Sequence, residues 1–225
     1  MRSGSKRGAS QSAPTEHAPR HERARQILRD ETAVLHNMVE RHFAPGRMTR
    51  EAYGRYLTMN RPFAWIEPAL EAACIHRVLP DWDVRRRRFV LASDLEAMGL
   101  PACETHTIGI SNDVGTLLGW SYVLEGSRLG ARVILREIES AHAQELSGAT
   151  RFLRHGEGMA LWARFTATLR RIDNDPSAIQ RACEAARAAF GCFATAAEEF
   201  RPAIPQGRRA IQYQREEPQC QMQDH

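Results

Sequence analysis

No apolar run in this 225-residue chain approaches the roughly 20 residues that a membrane-spanning helix needs. The basic, small-residue N-terminus MRSGSKRGASQSAP is followed by no apolar stretch of the kind that drives secretion, so the expected address is the cytoplasm. Cysteine is sparse and oddly numbered: Cys74, Cys103, Cys183, Cys192 and Cys220 contain no CxxC spacing, which excludes a disulfide framework and a zinc ribbon and leaves buried or incidental thiols. Alternating apolar and polar runs bounded by hairpin turns are also missing, and no Gly-rich GxGxxG segment marks a flavin or nicotinamide site. A net charge of +4 and a run of four arginines, Arg85 to Arg88, invite a nucleic-acid reading. The run carries no interleaved aromatics and no reader motif accompanies it, so it is read as a solvated helix start, with neither nucleic acid nor membrane as partner.

What the chain does have is apolar residues at helical spacing. With 43% hydrophobic and 26% charged residues it has the composition of one ordinary globular domain. The expected fold is all-α, a single domain over residues 21–203 between a Ser/Gly/Pro/Arg-rich tail (1–20) and a Gln-rich polar tail (204–225). Ile27, Leu28, Val34, Leu35, Met38 and Val39 outline one apolar face of a helix over 21–43 that stops at Pro45-Gly46. A helix capped by Thr49 follows, then one over 63–76 beyond Asn60 and Pro62, then one over 84–97 ending before Gly99-Leu100-Pro101. A long helix over 114–145 carries Gly115, Gly119, Gly126 and Gly130, each costing about 1 kcal/mol relative to Ala, so it should bend or let something come close. Helices over 157–172 and, after Asn174-Asp175-Pro176, an Ala-rich one over 177–200 complete the domain.

Two features carry chemical interest. On the first helix His36 lies about a third of a turn from the centre of the apolar stripe, sharing its flank with Arg29, Thr32, Glu40 and Phe43. The plain reading is a surface histidine; the functional one is an iron ligand, with Arg29 two turns away to pair with a carboxylate. On the long helix Gly126 and Gly130, four apart, stack on one face and bare the backbone. Such a pair serves either close helix packing or the approach of a flat ligand. Glu139 and His142 make one Glu-x-x-His pair, but a helical di-iron centre needs a second and none is present. His17, His21, His42, His76, His106 and His155 lack metal-ligand spacing and read as surface or structural.

The segment LRDETAVLHNMVE, residues 28–40, resembles the proximal-helix signature of heme oxygenases, with Leu28, Arg29, Thr32, His36 and Glu40 in the recurring places. GWSYVLEGSRLGARVI, residues 119–134, resembles the distal-helix signature of the bacterial branch that supplies biliverdin to bacteriophytochromes, through its YVLEGSxLG core. Arg88, Leu91, Asp94, Leu95 and Gly99 repeat that branch's R…L..DL..LG spacing, so the resemblance spans roughly residues 24–200.

The resemblance implies heme held between a proximal helix and a kinked distal helix, serving as both cofactor and substrate. His36 would be the metal ligand; Arg29, Thr32, Glu40, Tyr122 and Arg164 would contact the heme; Gly126, Ser127 and Gly130 would act where oxygen binds. The implied reaction opens heme with O2 and an external electron donor, a ferredoxin or flavoprotein reductase, giving biliverdin, CO and free iron. A bacteriophytochrome would be the bilin acceptor, and a heme carrier or sensor on the same fold is the alternative. The sequence departs from the animal enzymes in Ser127, where they place an Asp, in Arg128 and Ala131, and in Ala163, beside which Arg164 offers the basic group.

Overall fold

The computed structural model describes residues 22–42, 48–104, 106–141 and 143–198. The expected tails, Phe43, the Pro45-Gly46 stop, His142 and Cys220 lie outside those residues. Among them every regular element is helical: α1 (Arg23–Glu40), α2 (Arg50–Met59), α3 (Phe63–Ala72), α4 (Arg88–Ala97), α5 (Val114–Ala141), α6 (Ala143–Leu146), α7 (Arg151–Arg154), α8 (Leu161–Leu169) and α9 (Pro176–Glu198). The all-α, single-core expectation is met.

Side-chain caps set several starts. Thr49 Oγ1 accepts from the Ala52 N–H at 3.1 Å, as its position ahead of Glu51 predicts. Asp175 Oδ1 accepts from the Ala178 N–H at 3.0 Å and opens α9 one residue before Pro176. Asp113 Oδ1 takes the Thr116 N–H at 3.0 Å and Arg181 Nε at 2.8 Å, tying the start of α5 to α9. The Asp173 carboxylate reaches across the fold to the Ala24 N–H at 2.8 Å and caps α1.

Three helices organise the rest. Gly115 and Gly119 of α5 lie against Ala178 and Ala182 of α9, so these two helices run parallel. A β-carbon at either glycine would fall 2.3 or 2.1 Å from an α9 carbonyl oxygen, closer than any two such atoms can approach. These glycines are thus the close approach foreseen for the long helix, and the small residues of α9 complete it. Glu31 pairs with Arg187 and His36 meets Phe190, so α1 also runs parallel to α9, on another side of it. Phe63, Phe152 and Phe193 interlock beneath, at centroid distances of 5.3 and 5.7 Å.

Several boundaries and faces differ from expectation. The helix expected over 63–76 stops at Ala72, because Cys74 takes a left-handed conformation (φ 63°) before a 3-10 turn. The helix expected from residue 84 begins at Arg88, after a 3-10 turn over Trp82–Val84. That expected over 157–172 is α8 plus one 3-10 turn, since Gly156, Gly158 and Ala160 all hold positive φ. On α1, Val34 is 72% and Met38 47% exposed; the buried face is Ala24, Leu28, Thr32 and Val39, which moves its centre toward His36.

The reading of Arg85–Arg88 as solvated is wrong. Arg85 and Arg87 are 2% and 1% exposed. Arg85 follows the 3-10 turn and Arg87 precedes α4, and both side chains enter the core, while Arg86 and Arg88 stay part-exposed.

Candidate active site

Thr32 is buried on α1, its Oγ1 donating to the Leu28 carbonyl at 2.7 Å, and Tyr122 of α5 lies beside it and near Arg25 and Arg29. Burial raises the Tyr122 phenol above its usual range, against the opposing pull of Arg25, Thr32 and Arg29. This contact joins α1 and α5. One turn further along each helix stand His36 and Gly126, on the same faces as Thr32 and Tyr122.

His36 is an exposed side chain (56%) whose surroundings still orient it. Its Nδ1 lies 3.5 Å from Glu40 Oε2, and its ring meets Phe190 edge-on at 6.0 Å and 76°. A carboxylate beside one ring nitrogen is the arrangement found around metal-ligating histidines.

The distal glycines behave unlike Gly115 and Gly119. A β-carbon at Gly130 would meet nothing within 4 Å, and one at Gly126 only the Trp162 ring, at 3.7 Å. No helix backbone lies against them, as α9 lies against Gly115 and Gly119, so close helix packing is the role of the first glycine pair and not of the second. Tyr122 and Trp162, with ring centroids 6.0 Å apart, lie beside Gly126, and Leu129 and Val133 are exposed. Among the described residues no cluster of His, Cys, Asp or Glu could hold a metal ion alone, and Glu139 pairs with Arg154. A lone histidine, a bare backbone face and two nearby cations, Arg25 and Arg29, instead fit a flat, iron-bearing ligand with acidic substituents, which brings its own metal.

Behind the distal glycines the buried arginines form a scaffold. Glu125 (1% exposed) takes Arg85 Nη1 at 2.7 Å and Arg128 Nε and Nη2 at 3.0 Å each, while Asp81 holds Arg85 Nε at 2.6 Å and Nη2 at 2.9 Å. Arg128 also donates to the carbonyls of Arg85 at 2.7 Å and His155 at 3.1 Å. Arg87 lies over the Phe63 and Phe152 rings at 4.4 and 4.7 Å and donates to the Leu124 carbonyl and, at 2.5 Å, to Ser127 Oγ. Ser127 Oγ in turn donates to the Leu124 carbonyl at 2.8 Å. Burial pulls Arg87 down to about 9, with Arg128 adding to the effect, and burial plus Arg128 and Arg87 lower His155 to about 4.

Of the residues singled out in the sequence, Thr32 and Tyr122 meet between α1 and α5, with His36 and Gly126 one turn further along their respective helices. Glu40 orients His36, and Ser127 faces Arg87 behind the glycines. Arg29 is exposed near Tyr122; Arg164, on α8, is held by Asp81 at 3.2 Å. Arg87, Glu125 and Trp162 were missed as parts of the site. Glu125 stood inside the quoted motif, which was the available signal; four identical arginines in a row hide an inward and outward alternation, so Arg87 had none.

The heme oxygenase family profile matches residues 22–199. A heme oxygenase from Xanthomonas campestris pv. campestris is 31% identical over 159 residues, covering 70% of this chain and 96% of that protein. The heme oxygenase PigA of Pseudomonas aeruginosa is 27% identical over 149 residues, 64% of this chain and 75% of that one. Among solved structures, the NO- and CO-bound heme oxygenase of Neisseria meningitidis shares the fold, with a TM-score of 0.58 at 22% identity over 78% of this chain and 90% of that one. With a match over nearly all the described residues and a relative aligned along almost its whole length, the chain belongs to the heme oxygenase family, oxidoreductases for which heme is both cofactor and substrate, consumed with O2 and reducing equivalents.

Proposed function

We propose that heme binds in the gap between α1 and α5, with His36 Nε2 as its iron ligand and the Gly126–Gly130 backbone on the opposite side. The observation that supports this reading is the contrast between the two glycine pairs: a β-carbon at Gly115 or Gly119 would run into α9, whereas one at Gly130 would meet nothing within 4 Å and one at Gly126 only the Trp162 ring. When bound, heme supplies the redox chemistry and the porphyrin carbon that is oxidised. The chain supplies position and electrostatics. Glu40 fixes the His36 ring; Thr32 and Tyr122 form the floor; Arg29, with Arg25, faces the acidic edge; Arg164 adds charge there if released from Asp81. The absence of side chains at Gly126 and Gly130 sets how near the backbone comes to the oxygen side. Ser127 Oγ, accepting from Arg87 while donating to the Leu124 carbonyl, ties the backbone of this segment to the buried arginines behind it.

The family requires an external reductant, and a ferredoxin or flavoprotein reductase is the proposed donor. The YVLEGSxLG core of residues 122–130 supports a place in the bacteriophytochrome-linked branch, with biliverdin passed to such an acceptor in the cytoplasm. No helix among the described residues is long and apolar enough to cross a membrane. The domain is assigned to residues 21–203.

The test is the absorption spectrum after mixing with hemin. The expected result is a Soret band that shifts on binding, then bleaches when ascorbate or ferredoxin supplies electrons, with a broad biliverdin band replacing it. His36→Ala should alter the ferric spectrum and abolish the bilin band; an unchanged spectrum and yield would remove His36 from the site. Binding without bleaching would assign the chain as a carrier or sensor instead.

A further inference from the structure

We propose that the cavity on the far side of α5 from the bare glycines binds a small oxyanion, held by Arg87, Arg128 and Arg132. The cavity has a volume of about 330 Å³, and its wall includes those three arginines, His155 and the single carboxylate Glu157. On the α5 wheel Arg128 and Arg132 lie roughly opposite Gly126, so the arginines of the proposed site face away from the gap proposed for heme, Trp162 being the wall residue common to both.

The carboxylates around it are taken up by other arginines. Arg85 is satisfied by Asp81 and Glu125, and Arg128 by Glu125. Glu157 is drawn to Arg154, 3.7 Å away. Arg87 has no such partner: among the described residues its guanidinium makes no ion pair, and its buried Nε has no hydrogen-bond partner at all. A guanidinium that is 1% exposed and touches no carboxylate directly, Glu125 and Glu67 acting on it only at longer range, is expensive to keep charged, and it borders a cavity that two further arginines also line. An oxyanion accepts forked N–H donors in the geometry a guanidinium offers and would supply the missing charge. Leu135, Leu153, Leu161 and Trp162 form much of the remaining wall, which weakens the screening of that attraction. Because the same guanidinium donates to the Leu124 carbonyl and to Ser127, the site adjoins the segment that carries Gly126.

Inorganic phosphate and benzoate are suitable probes, one for a free oxyanion and one for a carboxylate on an apolar body. The full-length protein without heme is titrated with each at low ionic strength, and its melting temperature is compared with that in chloride at matched ionic strength. A saturable rise with phosphate or benzoate, beyond that in chloride, is expected, and whichever acts at lower concentration identifies the source of the anion. Arg132 is exposed and outside the buried scaffold, so Arg132→Ala should fold normally and weaken the response about tenfold. A rise no greater than in chloride, or one undiminished in Arg132→Ala, would overturn the proposal.

Discussion

The two glycine pairs of α5 give opposite answers to the same substitution. At Gly119 a methyl group would sit 2.1 Å from the Ala182 carbonyl oxygen and 2.8 Å from its carbonyl carbon, and these are backbone atoms of a helix packed along its length, so the only relief is to push α5 and α9 apart. Overpacking of this kind costs about 3 kcal/mol, while the change from Gly to Ala inside a helix returns about 1 kcal/mol, for a net loss of about 2 kcal/mol in Gly119→Ala. At Gly130 nothing lies within 4 Å and the helix is exposed, so only the propensity gain applies and Gly130→Ala should be about 1 kcal/mol more stable. At roughly 2–4 °C per kcal/mol for a domain of this size, thermal unfolding of the heme-free protein followed by circular dichroism at 222 nm should show Gly119→Ala melting about 4–8 °C lower and Gly130→Ala about 2–4 °C higher than the parent. Failure of Gly119→Ala to fold agrees with the reasoning. A Gly119→Ala protein as stable as the parent, or a Gly130→Ala protein destabilised to the same extent, would refute the division of the glycines into a packing pair and an open pair.

Glu125→Ala should destabilise the chain by about 3–5 kcal/mol in urea unfolding, because it leaves Arg85 and Arg128 buried without their shared carboxylate. His155 stays neutral in the folded chain down to about 4, whereas the unfolded chain protonates it near 6.5, so its contribution is whole above 6.5 and is lost as pH falls toward 4. His155→Asn should therefore flatten the stability profile across that window, as read from unfolding midpoints at a series of pH values. Gly126→Leu should keep the hemin-binding spectrum while losing biliverdin formation, since its β-carbon has room beside Trp162 and the remainder of the side chain enters the gap; normal turnover would contradict the distal assignment.

The helices were legible because their caps and periodicity act locally: Thr49, Asp175 and the Ala-rich face of α9 behave as their spacing requires. The spacing of Arg88, Leu91, Asp94, Leu95 and Gly99 also has a physical account. Arg88 pairs with Glu71, Leu91 and Leu95 are buried, Asp94 accepts the Phe152 N–H at 2.7 Å, and Gly99 takes a φ of 68° past the end of α4. Illegible were the features that depend on a distant partner. Val34 and Met38 match the apolar period of α1 but face solvent, because α9 takes the adjacent strip of that helix instead. Arg85 and Arg87 read as surface charge because the carboxylate, carbonyl and rings that receive them come from elsewhere in the chain, including Glu125, Leu124 and Phe152.

By itself the sequence determined the helical class, the rough extent of each helix and the two family-like segments that place His36 on one helix and Gly126 and Gly130 on another. It did not determine which glycines serve packing and which leave the backbone open, since the spacing of four residues is common to both pairs. Only the tertiary structure decided that, by bringing α9 against Gly115 and Gly119 and nothing against Gly130. The physical reason is that periodicity records which face of a helix a residue occupies, while the neighbour that fills or spares that face is fixed by how separate helices pack.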